Sequence, residues 1–289
     1  MTAPVGIERV REVSPALFSL MRRGTVYDLS SGWWPGMPLA EGHPPFQVLT
    51  YRTPQGERLE DDLAFLEGNE VGFGFISELI SMTAHTGTHI DALCHVVAGA
   101  DPAWHGGHRV ADWLGDFGPR DGDVAGLAPI ISRGVLFDIP RALGQDRLNP
   151  HQPVGARDLA AAAERQRVEV RPGDVVLVRT GTMGVWPDRE QLARVEGAGL
   201  SLEGARWILD RNAAVIGADT AAVEVAPSGI DGDPQPVHRV AILECGIPLL
   251  EWVYLESLAE DGLSEFLFLC FPLPIRGGTG SPVRPIAIA

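Results

Sequence analysis

The sequence predicts an α/β fold. Short β-branched runs alternate with helix-forming stretches through its second half, and 45% hydrophobic with 21% charged residues is enough to bury a sizeable core. Residues 26–29 form a β-like run. The stretch Gly32-Trp33-Trp34-Pro35-Gly36-Met37-Pro38 carries too many breakers for a helix and reads as an aromatic loop. Residues 53–70 are polar and acidic, and the apolar run 75–82 leads from them into a histidine-rich segment. Residues 134–138 and 175–179 read as buried strands, the second following the turn Arg171-Pro172-Gly173-Asp174. Between them, the alanine-rich residues 156–166 are helical by propensity. A second helix begins after Ser201, a good N-cap, ends near Arg211 and feeds a strand at 214–218. Residues 238–245 are expected to form a third helix closed by Gly246. Residues 249–254 and 265–271 are strand-like, and the tail 272–289 reads as a Gly/Pro loop with an apolar end. No repeat or linker divides the chain, so one domain spanning 1–289 is expected.

The formal charge is −15, and all 23 basic residues are arginine. Without lysine there is no ε-amine for a Schiff base or pyridoxal phosphate, and no P-loop lysine. A strongly acidic chain also lacks the basic face that nucleic acid requires. Three dispersed cysteines with no Cys-x-x-Cys pair fit a reducing compartment, so a cytoplasmic location is expected. The N-terminal residues lack the apolar core of a secretion signal, and no run of about 18 apolar residues follows, so no membrane partner is expected. Gly72-Phe73-Gly74 lacks the third glycine of a dinucleotide fingerprint, and no Gly-x-Ser-x-Gly elbow is present.

Of eight histidines, His85, His89 and His95 fall within eleven residues, with Asp91 between them. Neutral imidazole plus carboxylate is the donor set that zinc or manganese takes; a loop rich in histidine by chance is the competing explanation. In a straight strand the four side chains would share one face, but His85 and His89 would stand about 13 Å apart at roughly 3.3 Å per residue. Both imidazole nitrogens must come within about 2.1 Å of one ion. A helix pairs 85 with 89 but serves 95 poorly, and Thr86, Gly87, Thr88 and Ile90 disfavour it. A bend at Thr86-Gly87 is therefore expected, with glycine permitting unusual dihedrals and close backbone approach.

His-Thr-Gly-Thr-His-Ile-Asp, with a histidine four residues after the aspartate, resembles the signature of the cyclase / kynurenine formamidase-like family, which includes bacterial arylformamidases and isatin hydrolases. The likeness extends in order through Asp28-Leu29-Ser30, Pro35-Gly36-Met37-Pro38, Gly217-Ala218-Asp219-Thr220, Val223-Glu224-Val225, Pro236-Val237-His238-Arg239, Gly246-Ile247 to Glu251, and Gly278-Thr279-Gly280-Ser281-Pro282. The resemblance implies a swivelling β/β/α domain, a homodimer or homotetramer, and hydrolysis of a formamide, amide or lactam with bound zinc or manganese. It further implies that His85, His89 and Asp91 hold one metal, that Asp91 bridges to a second held by His238 and Glu251, and that His95 transfers protons. The family commonly has proline two positions after the aspartate, where this chain has Leu93.

A metal lowers the pKa of water it holds towards about 7 and polarises a carbonyl, and a nearby histidine exchanges protons near neutral pH. Hydrolysis of a small cyclic or aryl amide is therefore the expected activity. A tailoring cyclase or dehydratase using the metal as Lewis acid, a lactone hydrolase and a non-catalytic ligand-binding member are the competing outcomes. Trp33, Trp34 and Met37 are expected to line a pocket for an aromatic or cyclic substrate, although such residues as readily pack an oligomer interface. His105 and His108 are expected to be loop histidines, and Cys94, pointing away from His95 by alternation, to pack.

Overall fold

The structure, a computed structural model, describes residues 12–60 and 63–289. Most of the N-terminal stretch read above for a secretion signal, and residues 61 and 62 of the acidic stretch, lie outside the described residues.

Nine strands build one mixed sheet: β1 (Val26–Asp28), β2 (His89–Asp91), β3 (Ile130–Asp138), β4 (Val175–Arg179), β5 (Val215–Ala218), β6 (Leu249–Glu251), β7 (Glu265–Cys270), β8 (Gly280–Pro282) and β9 (Ile286–Ile288). Their spatial order is β1-β9-β7-β3-β4-β5-β6-β2-β8. The four central strands β3 to β6 run parallel, and every outer pairing is antiparallel. The parallel strands are apolar along their middles, as in Val135–Phe137 and Val175–Val178, because both faces are covered there. Val176 and Val178 of β4 point into one cluster, and Val175 and Leu177 into the other. Helices α1 (Ala156–Gln166) and α2 (Leu202–Leu209) close the first face with Leu159, Ala162, Ala205 and Ile208. The Ser201 hydroxyl caps α2 by accepting from the Gly204 amide at 3.2 Å, as its position before the helix led one to expect.

Three elements differ from the sequence reading. The tail is not a loop: β8 and β9 lie in it, pairing with β2 and with β7 and β1. Three-residue strands are too short for alternation to show, and their neighbours are distant in sequence. The strand after Pro248 stops at Glu251, since Trp252 takes φ +52° and turns its amide to the Thr220 carbonyl. The expected third helix is a single turn, Pro236–His238, continued by wide π-type turns over Arg239–Glu244, with the Cys245 amide reaching back to the Val240 carbonyl. Gly246 ends it at φ +68°, as expected. In addition, the acidic stretch holds a short helix, Pro54–Glu60. It leads on from a ribbon of Gln47–Arg52 paired with Ser77–Ser81, on which Val48, Leu49, Tyr51, Leu79 and Ile80 are exposed. Among the described residues no helix is long and apolar enough to cross a membrane.

Gly134 in β3 leaves the space that the ring of Phe266, its partner in β7, occupies, for a Cβ at 134 would stand 2.1 Å from that ring. Gly134→Ala is expected to cost about 1–3 kcal/mol by overpacking, read as a lower midpoint in urea unfolding.

Candidate metal centre

The centre is assembled at the β6-β2-β8 edge by strand register. His89 and Asp91 lie on one face of β2, and Ile90 packs into the core beneath. Glu251 of β6 pairs directly with His89, so its carboxylate rises beside that imidazole, Oε2 at 3.4 Å from Nε2. On the other side Gly280 of β8 pairs with Asp91. A Cβ there would lie 2.6 Å from the His85 ring, so glycine leaves the space in which His85 sits.

His85 reaches this space because the chain turns sharply before β2. Gly87 takes φ +60°, and a Cβ on it would meet Ser31 Oγ at 2.7 Å and Met37 Cε at 2.9 Å. The expected bend is therefore present, and both its dihedral and its packing require glycine. Ser31 and Thr88 clamp it: the Ser31 amide donates to Thr88 Oγ1 and the Thr88 amide to Ser31 Oγ, while the Thr88 hydroxyl donates to the Trp252 carbonyl. Trp33 Nε1 donates to the Thr86 carbonyl. Trp33 and Met37 thus buttress the turn, and Trp34 packs edge-on against Trp186, which leans on Trp252. A cavity of about 410 Å³ lies at the carboxyl ends of β4, β5 and β6, walled by Pro38, Leu39, Thr182, Leu192, Thr220 and Trp252 rather than by Trp33, Trp34 or Met37.

His85 Nδ1 lies 2.7 Å from Asp91 Oδ1, with its Nε2 at 2.9 Å from the Thr279 hydroxyl. His238 Nε2 is 3.1 Å from Glu251 Oε1 and 3.6 Å from Asp91 Oδ2. Donor atoms of His85, His89 and Asp91 form one group within 4.8 Å of one another, and those of Asp91, His238 and Glu251 a second, so Asp91 belongs to both. His95 stands beside the two groups, Nε2 at 4.0 Å from Asp91 Oδ1, its ring stacked on His85 at 4.1 Å and its side chain 33% exposed. With leucine at 93 instead of proline, the His95 amide still closes a turn onto the Ala92 carbonyl at 3.0 Å. His105 and His108 lie elsewhere, bonded to the Leu243 and His105 carbonyls, and Cys94 is buried.

Second bonds fix which nitrogen faces the centre. His89 Nδ1–H donates to the Gly87 carbonyl at 2.7 Å, leaving Nε2 as a lone pair. His238 Nδ1–H donates to Glu224 Oε1 at 2.5 Å, and both oxygens of Glu224 also accept the Val237 and His238 amides. Glu224 thus belongs to the candidate site, and sequence reasoning left it unassigned. Its nearest signal is Val223, a β-branched residue held at φ +53°, where strain tends to gather at working sites.

Asp91, Glu251 and Glu224 are all buried, and among the described residues none is hydrogen-bonded to an arginine. The imidazoles carry the compensation. Burial alone would lower His89, but Asp91 and Glu251 raise it to about 9. His238, likewise opposed by burial, is raised well above 6.5 by Asp91, Glu224 and Glu251. Burial and then the neighbouring imidazoles push His95 down to about 4. Burial would raise Asp91, yet the surrounding histidines hold it well below the usual carboxylate range. Asp91 Oδ2 is nevertheless buried and has no hydrogen-bond partner among the described residues. An anionic oxygen with no hydrogen-bond partner among the described residues, facing imidazole nitrogens whose protons a metal can displace, is the environment a divalent cation satisfies, and imidazole with carboxylate suits zinc and manganese alike.

A family model for cyclases ("Putative cyclase") matches residues 27–225. Cyclase-like protein 2 of Arabidopsis thaliana is 25% identical over 297 residues, covering 99% of this chain and 88% of that protein. Among solved structures, one described as a novel cyclase superposes with a TM-score of 0.81 at 24% identity, covering 96% of this chain and 92% of its own. Isatin hydrolase A from Ralstonia solanacearum superposes with a TM-score of 0.69 at 20% identity, over 98% and 99% of the two chains. These likenesses establish the α/β fold.

Two predictions follow from the charge balance. Glu224→Gln is expected to weaken metal binding about 10–100-fold, measured by chelator competition, because His238 loses its anionic partner. In metal-free protein, the proton that His89 holds contributes stability fully below its ordinary 6.5, and this is lost as pH rises through about 9. The melting temperature of the metal-free form should therefore fall between these pH values, by up to about 3 kcal/mol of stability. The metal-loaded form should not show this fall, since metal displaces that proton.

Proposed function

This chain belongs to the cyclase family, and on that premise we propose that it is a metal-dependent hydrolase that cleaves the C–N bond of a small cyclic or aryl amide. One observation carries the proposal: the donors of His85 and His89 and those of His238 and Glu251 converge on Asp91 from two sides, and one buried oxygen of that carboxylate has no hydrogen-bond partner among the described residues. We assign these five residues to one or two zinc or manganese ions, with Asp91 shared. When bound, the metal would supply Lewis acidity to the carbonyl and acidity to water.

The chain's own residues would do the rest. His95 is neutral at pH 7 and sits on the partly exposed side, so it can accept a proton from water as oxygen adds to the carbonyl carbon. It then returns that proton to the departing nitrogen as the C–N bond breaks, giving an amine and a carboxylic acid that releases its remaining proton to solvent as the carboxylate. Asp91 and Glu251 would hold the metal, and Glu224 would keep His238 in the tautomer that binds. The apolar cavity walled by Trp252, the residue after Glu251, suits a planar ring. Isatin hydrolase, whose fold this chain shares, is named for a lactam of that shape. The exposed apolar ribbon of Val48, Leu49, Tyr51, Leu79 and Ile80 supports a homodimer or homotetramer.

Protein purified without chelator should contain metal, and it should hydrolyse at least one member of a panel of isatin, formanilide and related lactams, with labelled oxygen from water appearing in the carboxylate. His95→Ala should keep its metal and lose about 10²–10⁴ in kcat. Full turnover by that variant would remove His95 from the mechanism, and unlabelled product would favour Lewis-acid cyclase chemistry instead.

A further inference from the structure

His43 lies in the turn that follows the aromatic loop, in a position to which no role has been given above. Its half-buried ring stands 6.3 Å from the ring of His85, tilted by 52°. His85 in turn stacks on His95, so three imidazoles succeed one another along one side of the centre. The other donors are closed off: the side chains of His89, Asp91, His238 and Glu251 are each at most 7% exposed. A substrate therefore approaches across the side on which His95 and His43 are the accessible groups.

The tautomer of His43 follows from hydrogen-bond bookkeeping. Nδ1 lies 2.9 Å from the Thr83 hydroxyl, which lies 3.1 Å from the hydroxyl of Thr86. Thr86 is buried, and among the described residues its hydroxyl has Thr83 as its one partner. A buried hydroxyl proton must go to an acceptor. Thr86 therefore donates to Thr83, Thr83 donates to Nδ1, and the ring proton of His43 is left on Nε2. The chain of hydroxyls turns a half-buried histidine into a fixed N–H donor beside the centre.

We propose that His43 is a substrate-contacting residue, its Nε2–H donating to the carbonyl oxygen of the substrate and to the carboxylate of the product, with Thr83 as the positioning residue that holds the tautomer. The proposal rests on the hydrolase reading above, which supplies the carbonyl and the carboxylate. It requires no charge on His43 and no ligation by it.

The test is calorimetric binding of 2-aminobenzoate, an aryl carboxylate, to manganese-loaded protein, with metal content measured in parallel. His43→Ala should weaken binding about 10–100-fold, as for a lost hydrogen bond to a charged group, and Thr83→Val by the smaller factor set by the fraction of His43 left in the wrong tautomer, while metal content stays at the wild-type level. His43→Gln, which keeps an N–H donor, and Thr83→Ser, which keeps the hydroxyl, should remain within about threefold of wild type by the same arithmetic. Nitrogen NMR of histidine-labelled protein should report neutral, Nε2-protonated His43 in wild type and a tautomer mixture in Thr83→Val. Wild-type affinity in His43→Ala overturns the contact, wild-type affinity in Thr83→Val overturns the positioning, and loss of metal in His43→Ala makes His43 a support for His85 instead. Wild-type protein that takes up neither metal nor 2-aminobenzoate overturns the hydrolase reading itself.

Discussion

Three carboxylates, those of Asp91, Glu251 and Glu224, are buried at one edge of the sheet, and among the described residues no arginine is hydrogen-bonded to any of them. Each buried anion carries a desolvation cost of several kcal/mol unless an opposite charge meets it with good geometry. Here the compensating charge comes from imidazoles and, by the proposed function, from metal. The ion pairs elsewhere in the sheet behave differently: Arg133 meets Asp174 and Glu265, and Arg179 meets Asp138 and Glu256, so the charge of each carboxylate is met directly by an arginine. At the metal centre it is not, as the unpartnered oxygen of Asp91 records. Conversely, an arginine at this edge would close the site to a cation.

The surrounding structure serves that incomplete balance. Antiparallel pairing of β2 with β6 sets Glu251 beside His89, and pairing with β8 sets Gly280 beside Asp91, leaving room for His85. A one-residue slip in either pairing would turn a ligand into the core and Ile90 or Leu250 towards the site. The Ser31–Thr88 clamp fixes where the turn at Gly87 enters the strand. The helical turn Pro236–His238 starts on Glu224, so the same carboxylate that orients the His238 ring also satisfies two amides of the turn carrying it. Loss of Glu224 would thus disturb both the position and the tautomer of one donor.

The sequence by itself determined the local half of the site. His85, His89, Asp91 and His95 are close along the chain, and their spacing with Gly87 between them left a bend as the physically reasonable way to bring two imidazoles together. The α/β class was legible because buried parallel strands are continuous β-branched runs and Ser201 announces its helix. Family resemblance supplied His238 and Glu251, which spacing alone would not have joined to the cluster. What only the tertiary structure decided were contacts made across long separations in sequence. Glu224, Thr279 and Gly280 act through pairings with residues between 14 and 194 positions away, and β8 and β9 are too short to announce themselves by alternation. Trp33 and Met37 read as pocket residues because aromatic and flexible apolar side chains look alike in a pocket and in a buttress. His43 was silent for the same reason: a lone histidine in a polar turn gains meaning only when two threonine hydroxyls and a neighbouring imidazole are seen around it. Sequence encodes donors and bends, which are local, whereas tautomer, register and charge balance depend on which distant groups fold against them.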